Sequence, residues 1–288
     1  MAFIQAKEDK ELNRAHDPVR APSMAEQVES LVKGAKPAQL EEYEEQIHPD
    51  DSRLNKIEIE AGSGLAFLDA RSNSVYRSTT YTSPMLFLGG KVWVTPFIGF
   101  SGRYQSTLSA DEPSSNDGTA RVPITQDWID LRLNLRKYSG TSRKSNWVEY
   151  GFAYSSDETK VSSDETSRVG LKSSGFGLHA SIHVPTAPTY TWTFGGALFP
   201  RNTHAETGTG LNLNSGSGTE DTRLDLSLGG DFKMARENVV FWDVSGSFEK
   251  IQYSGLSSLN EPSTGAPARN VSVMNSYLLF HLGYRWGE

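Results

Sequence analysis

The sequence predicts an all-β fold, a ten-stranded antiparallel transmembrane β-barrel with a short, partly helical N-terminal extension. Three observations predict it. Segments after residue 54 alternate apolar and polar residues with period two, and they are long enough to cross a bilayer. The connections between them alternate long and short. Trp and Tyr gather near the strand ends, as rings do at two membrane interfaces.

Composition fits this class. The 288 residues are only 36% hydrophobic, with a mean hydropathy of -0.48. No stretch approaches the eighteen apolar residues a spanning helix needs, whereas a barrel dilutes its hydropathy with a polar lumen face. The absence of Cys removes disulfides, thiolate metal sites and Cys nucleophiles together. A net charge of -7 without basic runs argues against nucleic-acid binding.

Residues 1–53 stand apart, with twelve acids against seven Lys or Arg. "MAFIQAKEDK" has no signal-peptide h-region, so the export a barrel requires implies that a leader has already been removed. "SMAEQVESLVKG" opens with Ser23 and Glu26 at capping-box spacing and sets Val28, Leu31 and Val32 on one helical face. "KPAQLEEYEEQIHP" places Pro37 in a first turn and Leu40, Tyr43 and Ile47 on one stripe. Two short amphipathic helices are therefore expected in a periplasmic arm. Val28, Leu31, Leu40, Tyr43 and Ile47 are its candidate contacts with a periplasmic or other envelope protein.

The barrel is expected over 54–288, with strands near 56–70, 80–94, 97–107, 122–137, 146–156, 167–184, 189–201, 222–234, 239–254 and 271–286. "WIDLRLNLR" sets Ile129, Leu131, Leu133 and Leu135 against Asp130, Arg132, Asn134 and Arg136. "RLDLSLGGDFKM" sets Leu224, Leu226, Leu228, Phe232 and Met234 against Arg223, Asp225, Ser227, Asp231 and Lys233. Connections such as 108–121, 202–221 and 255–270 are long and polar, while 95–96, 185–188 and 235–238 are short. Long loops outside and tight turns inside, with an even strand number, put both termini on the periplasmic side.

With that topology Trp93, Trp147, Tyr190, Trp192, Trp242, Tyr284 and Trp286 fall near the periplasmic strand ends and form the expected aromatic girdle. The closing segment "SYLLFHLGYRW" sets Leu278, Phe280, Leu282, Tyr284 and Trp286 on one parity. These residues resemble the carboxy-terminal signature of bacterial outer-membrane β-barrel proteins. The resemblance implies the bacterial outer membrane as location, lipid and lipopolysaccharide as surroundings, and recognition by the barrel assembly machinery during biogenesis.

The polar parity supplies the lumen. Its acids are Glu58, Glu60, Asp130, Glu149, Asp225, Asp231, Asp243 and Glu249, and its bases Lys91, Arg103, Arg132, Arg136, Arg223, Lys233 and Arg285. Near-equal charge of both signs predicts ion pairs rather than a selective ring. His179, His183 and His281 share the inward parity. Four residues along a strand separate the first two by roughly 13 Å, too far to share a metal, so neither a metal nor a cofactor is expected.

The function expected is structural, a non-enzymatic barrel that anchors while its arm or loops engage a partner. The alternatives are a narrow gated channel plugged by the arm, and a surface hydrolase built on His204 with Asp157, Glu158, Asp164 or Asp221. A soluble β-sandwich would instead bury the apolar faces as a core.

Overall fold

Period-two segments of this length can satisfy their backbone groups only by pairing with neighbours, and pairing that closes on itself leaves no edge. The computed structural model describes residues 26, 44–47, 51–108, 110–113, 121–207 and 209–288. Its strands are β1 Ile57–Ser72, β2 Thr79–Thr95, β3 Ile98–Thr107, β4 Ala110–Pro113, β5 Arg121–Tyr138, β6 Trp147–Val161, β7 Gly170–Ala187, β8 Tyr190–Thr207, β9 Ser217–Lys233, β10 Asn238–Ser254, β11 Leu256–Asn260, β12 Pro267–Arg269 and β13 Ser272–Gly287. Both β3 and β4 pair with β5, so together they form one wall strand. β1 pairs with β13, with Leu65 opposite Phe280, and this ladder closes a ten-stranded antiparallel barrel. β11 and β12 make a separate hairpin in the last long loop. Of the expected arm, Glu26 and the turn at Glu44–Gln46 are helical, while Val28, Leu31, Leu40 and Tyr43 lie outside the described residues.

The apolar parity faces outward. Ile57, Ile59, Leu65 and Phe67 of β1 are exposed, as are Leu224, Leu226, Leu228 and Phe232 of β9 and Leu278, Phe280, Leu282, Tyr284 and Trp286 of β13. A continuous exposed band of large apolar side chains marks a lipid-facing surface, and a sandwich core would have buried it. From Ile57 to Phe67 there are ten steps of roughly 3.3 Å on a strand tilted by about 40°, giving a band about 25 Å tall.

Above the band the polarity inverts. Outward positions become Asp69 and Arg71, Thr80 and Thr82, Asp127, Glu158 and Lys160, Lys172, Glu220 and Lys250. Many inward positions at this level become apolar, among a set of buried polar ones. Ala66, Leu68, Tyr81, Met85, Ala110, Val122, Ile124, Trp128, Tyr277 and Leu279 form one buried cluster, and Leu171, Ile251, Tyr253, Ala268, Val271 and Val273 another. This half, the long-loop end expected to be extracellular with the opposite mouth expected to be periplasmic, is thus packed as a water-soluble barrel would be.

The loops complete this half. The 71–79 loop carries a 3-10 turn at Val75–Arg77, whose Tyr76 packs with Val169, Leu211 and Leu213. Val75 N donates to Glu261 Oε2 at 2.9 Å, Tyr76 Oη to the Asn260 carbonyl at 3.1 Å, and Arg168 Nη1 to the Val75 carbonyl at 2.7 Å. The Arg77 guanidinium is ion-paired with Glu206 and lies 5.3 Å from the Tyr253 ring centre.

The periplasmic mouth is bridged by residues 51–55. Arg53 donates to the carbonyls of Gly140, Thr141 and Ser142 at 2.9, 2.7 and 2.9 Å and to Asp51 Oδ2 at 2.7 Å. Asn55 accepts from Arg236 Nε at 3.0 Å. One short segment therefore ties the β5–β6 turn to the β9–β10 turn. Burial raises the pKa of Asp51, but the Arg53 hydrogen bonds and charge outweigh it and hold the carboxyl below its ordinary value.

Candidate functional site

The barrel interior has two storeys, and side-chain size sets where each begins. In the lower storey β8, β9 and β10 turn small residues inward, namely Gly195 and Ala197, Ser227 and Gly229, and Ser245. Counting around the ten-strand wall, β10 stands opposite β5, which turns Asp130 and Arg132 inward. The small residues at these positions leave a cavity of about 230 Å³ between the charged side chains around them. It adjoins a smaller one at the periplasmic mouth, and Lys91, Glu149, His183, Asp231 and Arg285 line both.

The expected lumen charges fall as follows. Glu60, Lys91, Arg103, Asp130, Arg132, Glu149, Arg223, Asp225, Asp231, Asp243 and Arg285 line the cavity; Glu58, Arg136 and Lys233 line the mouth; Glu249 lies above, fully buried. Most are cross-linked. Arg103 Nη2 is 2.7 Å from Glu60 Oε1, and Arg285 Nη1 is 2.9 Å from Asp231 Oδ2. Arg136 Nη2 is 2.8 Å from Glu149 Oε1. Such pairs form because an unpaired charge in so narrow a lumen loses most of its hydration.

The three inward His are held separately. His281 is bonded to Asp243 Oδ1 at 2.8 Å through Nδ1 and to Gln105 Oε1 at 2.9 Å through Nε2. His183 stacks on Trp147 at 4.6 Å and meets Thr193 Oγ1 at 3.0 Å. His179 Nε2 lies 3.1 Å from the Leu133 carbonyl. Phe87 meets the His281 ring edge-on at 5.2 Å, and Phe87 and Phe241 pack at 5.8 Å. A Cβ at Gly62 would stand 2.5 Å from Phe87 Cζ, and one at Gly283 would stand 2.7 Å from both rings, so these two positions have room only for glycine.

The upper storey is solid. Leu68, Met85, Thr107, Trp128, Asp157, Ser173, Phe199, Arg223, Glu249 and Tyr277 are all buried, one from each of the ten wall strands. Trp128 is 1% exposed and meets Tyr277 edge-on at 6.0 Å. Arg223 reaches Asp157 at 3.2 Å and Asp225 at 2.8 Å, and Asn275 donates to Glu249 at 2.6 Å. His204 and Asp221 are 3.4 Å apart within this layer, their side chains 6% and 0% exposed, and Ser173 holds Asp221 at 2.8 Å.

Two girdle assignments need correction. Trp93 and Trp147 point into the lumen, because each shares its strand's parity with inward charges, Lys91 and Glu149. The Arg136 guanidinium lies 3.5 Å from the centre of the Trp93 ring, and Trp147 Nε1 donates to Glu149 at 3.3 Å. Tyr190, Trp192, Trp242, Tyr284 and Trp286 share the outward parity, and Trp242 Nε1 donates to Tyr190 Oη at 3.2 Å. Ile47 is buried against Phe97 and Ile98 beside Leu133 and Leu135, so its contacts among the described residues are with the barrel wall.

A closed ten-strand wall, an outward apolar band and a charged interior are now in place. The chain has the fold of bacterial outer-membrane β-barrels. Among solved structures, this outer-membrane barrel is similar to the outer membrane protease OmpT from Escherichia coli, with a TM-score of 0.51 at 9% identity over 84% of this chain and 100% of that one. It also matches the outer membrane protein OprG from Pseudomonas aeruginosa, with a TM-score of 0.33 at 9% identity over 83% and 99% of the two chains. The toluene transporter TodX from Pseudomonas putida gives 0.32 at 8% identity over 84% and 93%. At such identities the likeness extends to the fold alone. No protein-family model matches the chain, and no curated protein sequence matches it.

Proposed function

We propose that this barrel is a non-conducting anchor in the bacterial outer membrane, with a scaffolding role exercised through its extracellular collar or its N-terminal arm. The solid upper storey carries this reading. Buried side chains from all ten wall strands fill the cross-section there, so a pore would require unpacking the wall itself and not merely moving a loop. His204 and Asp221 are enclosed in the same layer, which favours a structural role for them over a hydrolytic one. The outward series Leu278, Phe280, Leu282, Tyr284 and Trp286 would serve the barrel assembly machinery before it serves lipid.

The test is conductance in planar bilayers containing lipopolysaccharide. The purified full chain should give no discrete steps above background, and well-resolved steps would overturn the reading. The polar cavity of the lower storey favours the alternative, a narrow gated channel, and such steps would support it. A photo-crosslinker at Leu40 or Tyr43 in living cells should capture an envelope protein if the arm is the partner-binding element.

A further inference from the structure

Asp130 and Arg132 stand two residues apart on β5 and both line the lower cavity. The same spacing closes into an ion pair on two other strands, where Arg71 meets Asp69 at 2.8 Å and Arg223 meets Asp225 at 2.8 Å. On β5 it stays open. Among the described residues, neither the Asp130 nor the Arg132 side chain makes a hydrogen bond or a contact ion pair, although Arg223 attracts Asp130 through space. Arg132 is exposed although it faces the lumen, and the space it faces is the cavity itself.

This open pair contrasts with its surroundings. Arg103, Arg223 and Arg285, the other guanidiniums lining the cavity, are each held by two or more carboxylates. Across the lumen, β9 and β10 present Ser227, Gly229 and Ser245, which clear space between the charges Arg223, Asp225, Asp231 and Asp243 of the same strands. The cavity of about 230 Å³ far exceeds the roughly 10–15 Å³ that one water requires. The smaller cavity at the mouth adjoins it on one side, and the buried upper storey lies on the other.

We propose that the lower cavity is a periplasm-facing binding site for a small zwitterion of amino-acid size. The solute's carboxylate takes the fork of Arg132, whose planar donors match two carboxylate oxygens. Its ammonium takes Asp130. A solute with one charge would satisfy one side chain and leave the other as it was, so both charges together set the specificity. The site does not depend on the barrel being non-conducting, because it uses only side chains of the lower cavity.

The test uses the full chain in detergent micelles with alanine as the zwitterionic probe, and acetate and methylammonium as single-charge probes, followed by isothermal titration calorimetry. Alanine should bind saturably, and each single-charge probe at least tenfold more weakly. Arg132→Ala and Asp130→Asn should each weaken alanine at least tenfold. Unboiled gel mobility shows that each variant is folded. If Asp130→Asn fails to fold, Asp130→Glu, which moves the carboxylate by one methylene, should weaken alanine severalfold in its place. No saturable alanine binding, or binding indifferent to both substitutions, would overturn the proposal.

Discussion

The guanidinium carbon of Arg136 lies over Trp93, 3.5 Å from the ring centre, at the periplasmic floor of the lumen. The same guanidinium reaches Glu149 Oε1 and Tyr138 Oη at 2.8 and 2.7 Å. Trp93 is therefore a core residue of the barrel interior. Trp93→Ala should cost about 3–5 kcal/mol, as expected for deleting a buried indole. Trp286→Ala, on the outward face, should cost clearly less. The temperature at which each variant loses its fast-migrating gel band measures the difference.

The two storeys give opposite rules for substitution. Within the apolar band, Leu228→Lys should destabilise by about 2–4 kcal/mol, the cost of a base facing hydrocarbon. Above the band, Lys250→Leu should change little, while Ile251→Lys should prevent assembly, because it buries an ammonium among Tyr253, Val271 and Val273. Yields of folded protein in the membrane fraction check all three.

The extracellular cap and the seal are separable. Replacing residues 71–79 by a Gly-Ser linker removes the Tyr76 and Arg77 contacts but leaves Trp128, Met85 and Tyr277 in place. Conductance should remain absent after this change. Arg77→Ala should leave the barrel folded and make the 71–79 loop at least tenfold more sensitive to added protease, since Glu206 then loses its ion-pair partner.

Acid should release the periplasmic bridge. The Asp51 carboxyl is held below its ordinary value of about 3.8, so its contribution is fully present above that pH. It is lost as the pH falls through the lower folded-state value. Pepsin cleavage within 51–55 should thus be slow at about pH 5 and approach that of Asp51→Asn at about pH 2, with the variant as the reference at each pH. Equal cleavage of both proteins at about pH 5 would deny Asp51 any part in the bridge.

Much of this was legible in the sequence. The ten segments from 56–70 to 271–286 match the ten wall strands within a few residues at most ends, because alternation reports directly which side chains share a face. Height along the strand alone puts Trp93 in the girdle, whereas the parity it shares with Lys91, two residues away, turns it inward. The storey boundary was also readable. In "VPITQDWIDLRL" the apolar residues occupy even positions through Trp128 and odd positions from Ile129, and that change of phase marks the top of the band. The cap was not readable, since Tyr76, Leu211 and Leu213 come from loops without any period. Nor could the sequence show that Asp130 and Arg132 stay apart where Arg223 and Asp225 close, because only the width of the lumen opposite decides it.

The inversion of polarity means that the two ends of one barrel answer to different solvents. Below Phe67 the wall is held by ladder hydrogen bonds in a medium that offers no competing partners. Above it, cohesion comes from withdrawing Ile124, Trp128 and Ile251 from water, a force that urea weakens and cooling diminishes. Titrated with urea in micelles, the protein should lose its collar first and keep a shorter, still closed cylinder, so that its melting is stepwise although the same wall strands pass through both halves.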